Sequence, residues 1–307
     1  MGRRILVTGA SGFIGAALTA RLRTLGFEVD AVSRRAPDEE RAGVRWRVAD
    51  LGDAAAAATI VREVRPDVIF HLSGYVYGSR ALSAVLPSLQ SNLQAAVNLM
   101  VAALDARCGR LVLAGSMEEP QTGAGEVVPS SPYAAAKWAA GAYARMCHAL
   151  YQLPVVILRI FMVYGPGQRD LNKLVPYVTL SLLRGETPGL SSGARKVDWV
   201  YVDDVVDALV AAGAAVGLEG RTVDVGSGRL VSIRDVVNEL VRITGASVTP
   251  AFGALPDRAM EVEPVADTAQ AFALLGWRAR TSLEAGLRST VDWYAQASML
   301  HRAGRTG

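Results

Sequence analysis

The chain has 307 residues, of which 51% are hydrophobic and 20% charged, and its formal net charge is +3. This composition is typical of a globular enzyme, and the basic residues are scattered along the chain, which argues against a nucleic-acid-binding protein. No stretch reaches the roughly 18 uninterrupted apolar residues of a membrane span. The three histidines and two cysteines form no ligand-spaced cluster, so we expect no metal site. We predict a cytoplasmic protein whose partners are neither nucleic acid nor membrane.

Short runs rich in β-branched residues alternate with alanine- and leucine-rich helical patterns along the first half of the chain. The predicted strands are Arg4–Thr8, Glu28–Ser33, Val44–Val48, Val68–His71, Leu111–Ala114 and Val155–Arg159. The predicted helices are Ile14–Leu25, Ala54–Val64, Pro87–Ala106 and Pro132–Leu150. This alternation predicts βαβ units, and therefore an α/β fold with a Rossmann-type, doubly wound parallel sheet over residues 1–165.

The pattern changes after residue 165. The stretch from Gly165 to Lys196 is interrupted by proline and glycine and contains one predicted helix, Leu174–Leu183. Strands are predicted at Val200–Val202 and Thr222–Val225, where residues of about 199–225 return to the Rossmann core. The rest of residues 166–307 is predicted to form a smaller C-terminal α/β lobe that binds the substrate.

The first strand runs into a glycine-rich loop, TGASGFIG at residues 8–15, and then directly into a helix. In such a loop the first glycine permits a tight turn, the second lets the backbone approach a pyrophosphate, and the third lets the helix pack on the strand. The helix N-terminus adds amide donors and a positive dipole. We therefore predict a dinucleotide cofactor bound by Gly9, Ser11, Gly12, Phe13, Ile14 and Gly15.

The end of the second strand bears on which nicotinamide cofactor binds. Versions of this fold that bind NAD usually carry an acidic residue there, but Asp30 lies inside the strand, which ends at Ser33 and continues into Arg34 and Arg35. Because a 2′-phosphate favours the forked donors of arginine, we predict NADP as the cofactor, with NAD as the alternative. Asp50 and Leu51 end the third strand, where Asp50 could reach the adenine amino group. Asp50 could equally be the N-cap of the following helix.

A helix start near residue 131 carries the predicted catalytic pair. Ser131 is expected to cap this helix and Pro132 suits its first turn. Tyr133 and Lys137 are four residues apart, so they share one helical face. A neighbouring cation should lower the pKa of the Tyr133 phenol, which would then exchange a proton with a carbonyl or an alcohol near neutral pH.

These segments together resemble the extended short-chain dehydrogenase/reductase family, which includes nucleotide-sugar epimerases, dehydratases and ketoreductases. The resemblance extends over nearly the whole chain. Its motifs are TGASGFIG at 8–15, HLSG at 71–74, Asn92, GSMEE at 115–119, SPYAAAK at 131–137, YGPG at 164–167, DWVYVDD at 198–204, VGSG at 225–228 and LGW at 275–277.

The resemblance implies a role for each matching residue. Ser116 would hydrogen-bond the reacting oxygen, Tyr133 would be the acid/base, and Lys137 would hold the nicotinamide ribose and tune Tyr133. Further cofactor contacts would come from Leu72, Ser73, Gly74 and Asn92. The smaller lobe would hold a nucleoside diphosphate sugar, and the candidate substrate contacts, several of which are equally compatible with solvated surface groups, are Glu118, Asn172, Lys173, Arg195 and Arg258.

The chain departs from the family pattern at two positions near the substrate. Met162 stands where members often have asparagine, and Val197 stands where many have an arginine. Arg195 and Lys196, just upstream of Val197, would bind the phosphate instead, with Arg258 as a second candidate. The 4,6-dehydratases carry an Asp-Glu pair after the catalytic Ser/Thr. Here Met117 takes the place of the Asp, and a thioether cannot donate a proton.

Among the remaining reactions, a reductase that consumes NADPH matches the arginines after the second strand, whereas an epimerase recycles one bound NAD. We predict an NDP-4-keto-6-deoxyhexose 4-ketoreductase, with an NDP-sugar 4-epimerase as the alternative. A 4,6-dehydratase or a non-catalytic NADPH-binding protein is less favoured. The helices Pro87–Ala106 and Pro132–Leu150 resemble those that pair two family members, which predicts a homodimer unless their alanines face the core.

Overall fold

The computed structural model describes residues 3–35, 43–76, 78–120 and 126–303. Its strands are β1 Arg4–Thr8, β2 Glu28–Ser33, β3 Val44–Val48, β4 Val68–His71, β5 Arg110–Ser116, β6 Val155–Ile160, β7 Met162–Tyr164, β8 Gly189–Leu190, β9 Lys196–Tyr201, β10 Thr222–Val225, β11 Leu230–Ser232 and β12 Ala251–Phe252. Its α-helices are α1 Phe13–Thr24, α2 Ala54–Val64, α3 Val85–Ser88, α4 Ala95–Asp105, α5 Pro132–Tyr151, α6 Leu174–Leu183, α7 Val202–Ala214, α8 Ile233–Thr244, α9 Thr268–Leu275 and α10 Leu283–Ala303.

Seven strands form one parallel sheet in the order β10-β6-β5-β4-β1-β2-β3. Strands β1, β4, β5 and β6 are almost entirely buried because helices cover both faces of the sheet, as parallel sheets require. Leu6, Ile69 and Ile157 pack with side chains of α2, α4 and α5 into one apolar cluster. The predicted Rossmann-type fold is therefore confirmed, and its strands end together at the edge where ligands bind.

The chain divides into two compact units. The first consists of Met1–Ile160, Val206–Val225 and Ala269–Trp277, and the second of Phe161–Val205, Gly226–Thr268 and Arg278–Gly307. The segment predicted as a strand at Val200–Val202 is in the second unit, where β9 pairs with β7 and β11 in a three-stranded sheet. It does not join the central sheet. That sheet instead receives β10, whose residues pair with β6.

The buried carboxylate of Asp198 links several segments of the second unit. Asp198 of β9 is fully buried and accepts four hydrogen bonds, two through Oδ1 from the backbone N and the hydroxyl of Ser227, both at 2.7 Å, and two through Oδ2 from the backbone N of Gly228 at 2.9 Å and of Ala266 at 3.0 Å. A Cβ on Gly226 would lie 2.8 Å from Oδ2, so only glycine fits beside this carboxylate. Asp198 therefore ties three segments of the unit together.

None of the helices within the described ranges combines the length and the apolar character that crossing a membrane demands. Nor do the described residues bring together three or more side chains that could hold a metal ion.

Candidate active site

The glycine-rich loop has the geometry of a phosphate cradle. Gly9 has a φ of 70°, and a Cβ there would lie 2.6 Å from the backbone N of Ser73. A Cβ on Gly15 would lie 2.1 Å from the carbonyl oxygen of Gly9, which is closer than any real contact. Helix α1 begins immediately after Gly12, which offers no side-chain cap, so its first amides can donate to an anion. These residues fit the pyrophosphate of a dinucleotide.

The end of β4 lies beside this loop and is held by a buried hydrogen bond. The Thr8 hydroxyl and His71 Nδ1 are 2.8 Å apart. Burial lowers the pKa of His71 to about 3, and the charge of Lys137 adds to this, so the imidazole is neutral. Its Nε2 is buried and has no hydrogen-bond partner among the described residues. This link fixes Leu72 and Ser73 against the glycine-rich loop.

The ends of β2 and β3 place the residues predicted to bind the adenosine half. Ser33 is buried and its hydroxyl donates to the carbonyl of Arg35, while both Arg34 and Arg35 are exposed. Asp30 lies inside the strand, where its buried carboxylate forms ion pairs at 2.8 Å with Arg45 and with Arg47. No acidic side chain therefore ends β2.

The loop after β3 corrects one of the two expectations for its residues. The Asp50 carboxylate accepts from the backbone N of Gly52 at 2.9 Å, whereas the cap of α2 is Asp53, which accepts from Ala55. The capping alternative for Asp50 is wrong, and its exposed side chain stays available to a ligand. Leu51 packs in the core, which leaves it little side chain to offer a cofactor.

Asn92 marks a break in the segment predicted as one helix over Pro87–Ala106. A 3-10 turn at Leu82–Ala84 precedes α3, and a π-helical turn at Leu89–Gln94 separates α3 from α4. Within that turn Asn92 is buried, and its side-chain amide bonds the backbone N and carbonyl of Tyr75 at 2.9 and 3.2 Å. The single predicted helix is therefore corrected to a broken one, as is common at functional sites.

Gly74 brings Asn92 and the predicted catalytic lysine together. A Cβ on Gly74 would lie 2.5 Å from Asn92 Oδ1 and 3.6 Å from Lys137 Nζ. Lys137 is buried, and its ammonium donates to the carbonyl of Ala114 at 2.9 Å. The loop after β4, the π-helical turn and α5 therefore converge on one point at the edge of the sheet.

Tyr133 and Ser116 complete this constellation. Helix α5 begins at Pro132 with Ser131 as its cap, because the Ser131 hydroxyl accepts from the backbone N of Ala134 at 3.1 Å; both features were predicted. Ser116 is the last residue of β5, and its hydroxyl hydrogen-bonds that of Tyr133. The Ser116 hydroxyl also accepts from the backbone N of Glu118 at 3.2 Å. The structure thus brings Ser116, Tyr133 and Lys137 together.

The electrostatics of the pair differ from the expectation. Burial raises the pKa of Tyr133, the hydrogen bond with Ser116 partly opposes this, and the charges of Glu118 and Glu119 raise it further. Lys137 is not among the causes of this shift, and the net change of the Tyr133 pKa is opposite to the lowering that was expected. Burial also lowers the pKa of Lys137 to about 8, and the charge of Glu119 opposes that change.

Glu119 is a residue of the site that the sequence reasoning did not assign. It is buried, and its Oε1 accepts from the backbone N of Ser116 at 2.6 Å. Its place in the GSMEE motif and the glycine directly before Ser116 were the available signals. They did not show which of two adjacent glutamates turns inward.

The candidate substrate residues of the second unit are in different states. Arg195 forms an ion pair with Glu261 at 2.9 Å, and it also donates to the carbonyl of Val262, so its guanidinium is largely engaged. Arg258 is exposed. Asn172 is exposed and its backbone N donates to the Asp170 carboxylate at 3.1 Å, while Lys173 Nζ lies 3.9 Å from the same carboxylate. Arg258 is the more accessible of the two arginines.

Comparison with known proteins supplies the context for this site. The sequence matches the model of the NAD dependent epimerase/dehydratase family over residues 5–226. It is 32% identical to a UDP-glucose 4-epimerase of Mycolicibacterium smegmatis, over 96% of this chain and 99% of that protein. It is 29% identical to a probable dTDP-glucose 4,6-dehydratase of Sinorhizobium fredii, over 95% and 93%. The structure is similar to that of a Thermus thermophilus UDP-glucose 4-epimerase in complex with NAD, with a TM-score of 0.86 and 28% identity over 96% of this chain and 99% of that one.

Proposed function

This chain belongs to the NAD dependent epimerase/dehydratase family, which makes it an NAD(P)-dependent enzyme of the extended short-chain dehydrogenase/reductase type, and we propose that it epimerises a nucleoside diphosphate hexose at C4. The observation that carries the proposal is the meeting of Ser116, Tyr133 and Lys137 at the edge of the sheet where the phosphate cradle lies. The relatives are named for 4-epimerases and 4,6-dehydratases, and none of those compared above is named for a ketoreductase. The 4-epimerase, which was the alternative in the sequence analysis, therefore replaces the 4-ketoreductase as the favoured function.

We assign the acid/base step to Tyr133. Bound NAD supplies a hydride acceptor that later returns the hydride, and its positive nicotinamide favours a phenolate nearby. As the C4 hydroxyl is oxidised, Tyr133 Oη takes its proton, and the same oxygen atom gives the proton back when the ketone is reduced. Ser116 holds the sugar oxygen. Burial disfavours the phenolate of Tyr133, so its formation would depend on the positive charge of bound NAD, and Lys137 would hold the nicotinamide ribose beside it.

A dehydratase is disfavoured by the residue after Ser116. Met117 is buried at that place, and its thioether cannot protonate a departing hydroxyl. Of the two carboxylates that follow, Glu119 is already bonded to the backbone of Ser116. Only Glu118, which is half-buried, could act as an acid or base or contact the sugar, so the pair that a 4,6-elimination needs is incomplete.

The second candidate is the NADPH-dependent 4-ketoreductase. One specific observation favours it, namely that β2 ends at Ser33 and is followed by two exposed arginines, while Asp30 is tied up in ion pairs. A 2′-phosphate would find charge-assisted donors at Arg34 and Arg35. In an epimerase, these arginines would border the adenosine hydroxyls of NAD instead.

For the sugar nucleotide we propose the second unit, with Arg258 as the first ligand of the diphosphate because its side chain is exposed. Arg195 would join it only after its ion pair with Glu261 opens. Asn172 and Lys173, just before α6, are assigned to the sugar or the base.

Retained cofactor and isotope exchange distinguish the three reactions. The purified enzyme is incubated in D₂O with a panel of UDP- and dTDP-hexoses and, separately, with NADPH and a 4-keto-6-deoxy sugar nucleotide. An epimerase yields the C4 epimer without deuterium in the sugar, consumes no added cofactor, and releases NAD on denaturation. Stoichiometric NADPH oxidation without retained NAD would replace the proposal by the ketoreductase, and deuterium at C5 would replace it by a dehydratase.

We also propose a homodimer formed through α5. Of the alanines of α5, Ala140 and Ala144 face the core, which agrees with the alternative to a dimer contact for these two residues. The outer face of α5 is nevertheless apolar, with Tyr143 44%, Met146 39% and Leu150 64% exposed. A second copy of the same helix would cover it. Light scattering at micromolar concentration should give twice the chain mass, and Met146→Glu should give the mass of a single chain.

A further inference from the structure

Glu119 holds the backbone of Ser116 from both sides. Its carboxylate Oε1 accepts from the Ser116 backbone N at 2.6 Å, and its own backbone N donates to the Ser116 carbonyl at 3.0 Å. The side chain of Glu119 is only 4% exposed. The position from which Ser116 presents its hydroxyl to Tyr133 is thus set by one neighbouring residue.

The surrounding chain leaves room for this carboxylate. A Cβ on Gly115 would lie 2.7 Å from Oε1, so β5 must have glycine before the catalytic serine. On α5, a Cβ on Gly141 would lie 3.7 Å from Oε2, so the helix comes close to the carboxylate at a residue without a side chain. Glu119 is therefore enclosed between β5 and α5, and not merely folded back over a turn.

The groups that face Glu119 are mostly cationic. Lys137 and Arg145 of α5 and Arg159 of β6 all favour its charged form, which burial opposes. Arg159 is itself paired with Asp224 at 3.2 Å. Lys137 also acts on the neutral His71 of β4. Among the charges around Lys137, Glu119 is the one that favours its ammonium.

We propose that Glu119 is a positioning residue of the active site, whose carboxylate fixes Ser116 and is the countercharge of the buried Lys137 ammonium. The proposal rests on the catalytic assignment of Ser116 and Lys137 in the proposed function. A purely structural cap would hold the turn after β5 without affecting how Lys137 titrates. The two roles therefore differ in an observable that does not depend on turnover.

The chain is well suited to this measurement because its three lysines are Lys137, Lys173 and Lys196. The enzyme, with whatever cofactor it retains, is labelled with [¹³Cε]lysine, and each lysine signal is followed by NMR against pH. Substitutions Lys173→Arg and Lys196→Arg assign the signals. In Glu119→Gln, which can still accept the Ser116 bond, the midpoint of Lys137 should move down by about one pH unit. Glu126→Gln, an exposed glutamate in the chain between β5 and α5, is the matched control and should leave it unchanged.

Turnover supplies the second readout. In Glu119→Gln, kcat should fall at least tenfold with KM little changed. Both limbs of the kcat–pH profile should move to lower pH, because the negative charge of Glu119 favours protonation of both Lys137 and Tyr133. Glu119→Asp keeps the charge but shortens the reach to Ser116, so kcat should fall while the Lys137 midpoint stays near the wild-type value. If the first variant does not fold, Glu119→Asp still tests the positioning of Ser116, because an unchanged kcat in that variant would overturn that role.

The proposal would be overturned if the Lys137 midpoint is unchanged in folded Glu119→Gln. It would also be overturned if the Lys137 midpoint falls as far in Glu119→Asp as in Glu119→Gln. An unchanged kcat in both variants would overturn it as well. If the wild type instead fails to epimerise any sugar nucleotide while the midpoint moves as expected, the proposed function fails and the electrostatic role of Glu119 stands.

Discussion

The acid/base assignment predicts that Tyr133→Phe separates turnover from stability. The substitution removes one oxygen atom whose hydrogen bond is with the Ser116 hydroxyl. Ser116 keeps the bond from the backbone N of Glu118 at 3.2 Å, so no buried group is left without a partner. The expected cost to folding is that of one hydrogen bond, about 1 kcal/mol. Loss of a general acid/base, by contrast, lowers kcat by about 10²–10⁴.

The assay is single-turnover and steady-state epimerisation followed by NMR of the sugar nucleotide, beside urea unfolding and quantitation of retained cofactor. Tyr151→Phe, at the exposed end of the same helix, is the control and should match the wild type in all three measurements. A Tyr133→Phe enzyme that turns over within about threefold of the wild type would refute the reasoning. Loss of activity accompanied by unfolding would show that the tyrosine is mainly structural.

Two further predictions concern the second unit and the cofactor. Asp198→Asn should lower the free energy of unfolding by about 2–4 kcal/mol in urea titrations, because at least one buried backbone N–H then faces an amide NH₂. The control is Asp207→Asn, at an exposed ion pair, which should change the free energy of unfolding by less than about 0.5 kcal/mol. Equal effects of the two would contradict the role of Asp198. Replacing both Arg34 and Arg35 by Ala should reduce NADP affinity about tenfold in calorimetric titration and leave NAD affinity within about twofold. A matching loss of NAD affinity would show that the arginines do not discriminate the 2′-phosphate.

Local sequence patterns were sufficient for the elements of the central sheet. Strands β1 to β4 and helix α2 have the predicted bounds because each is rich in β-branched and aromatic residues or in alanine and has a glycine, aspartate or proline close to its ends. The same holds for the cap of α5, since Ser131 and Pro132 act on their own helix. These features depend on residues within a few positions of one another.

Features that depend on distant contacts could not be predicted in this way. The π-helical turn contains Asn92, whose side chain bonds the backbone of Tyr75, and the helical pattern of the sequence does not indicate that partner. The apolar run at β9 predicts a strand but not the sheet that it joins. Burial is the main cause of the raised pKa of Tyr133, and Glu119 is buried whereas Glu118 is not. Both features arise only in the assembled fold.

The segmented first unit has a consequence for how the chain is made. Strand β10 pairs with β6 at one edge of the central sheet, yet residues 161–205, which belong to the second unit, separate the two in sequence. During synthesis, β6 therefore emerges with one edge unpaired, because its partner strand β10 begins about sixty residues later in the chain. Unpaired edges of apolar strands attract other chains. We expect a fragment ending at residue 160 to aggregate, and co-expression of residues 161–307 to rescue it only if the late strand arrives before self-association.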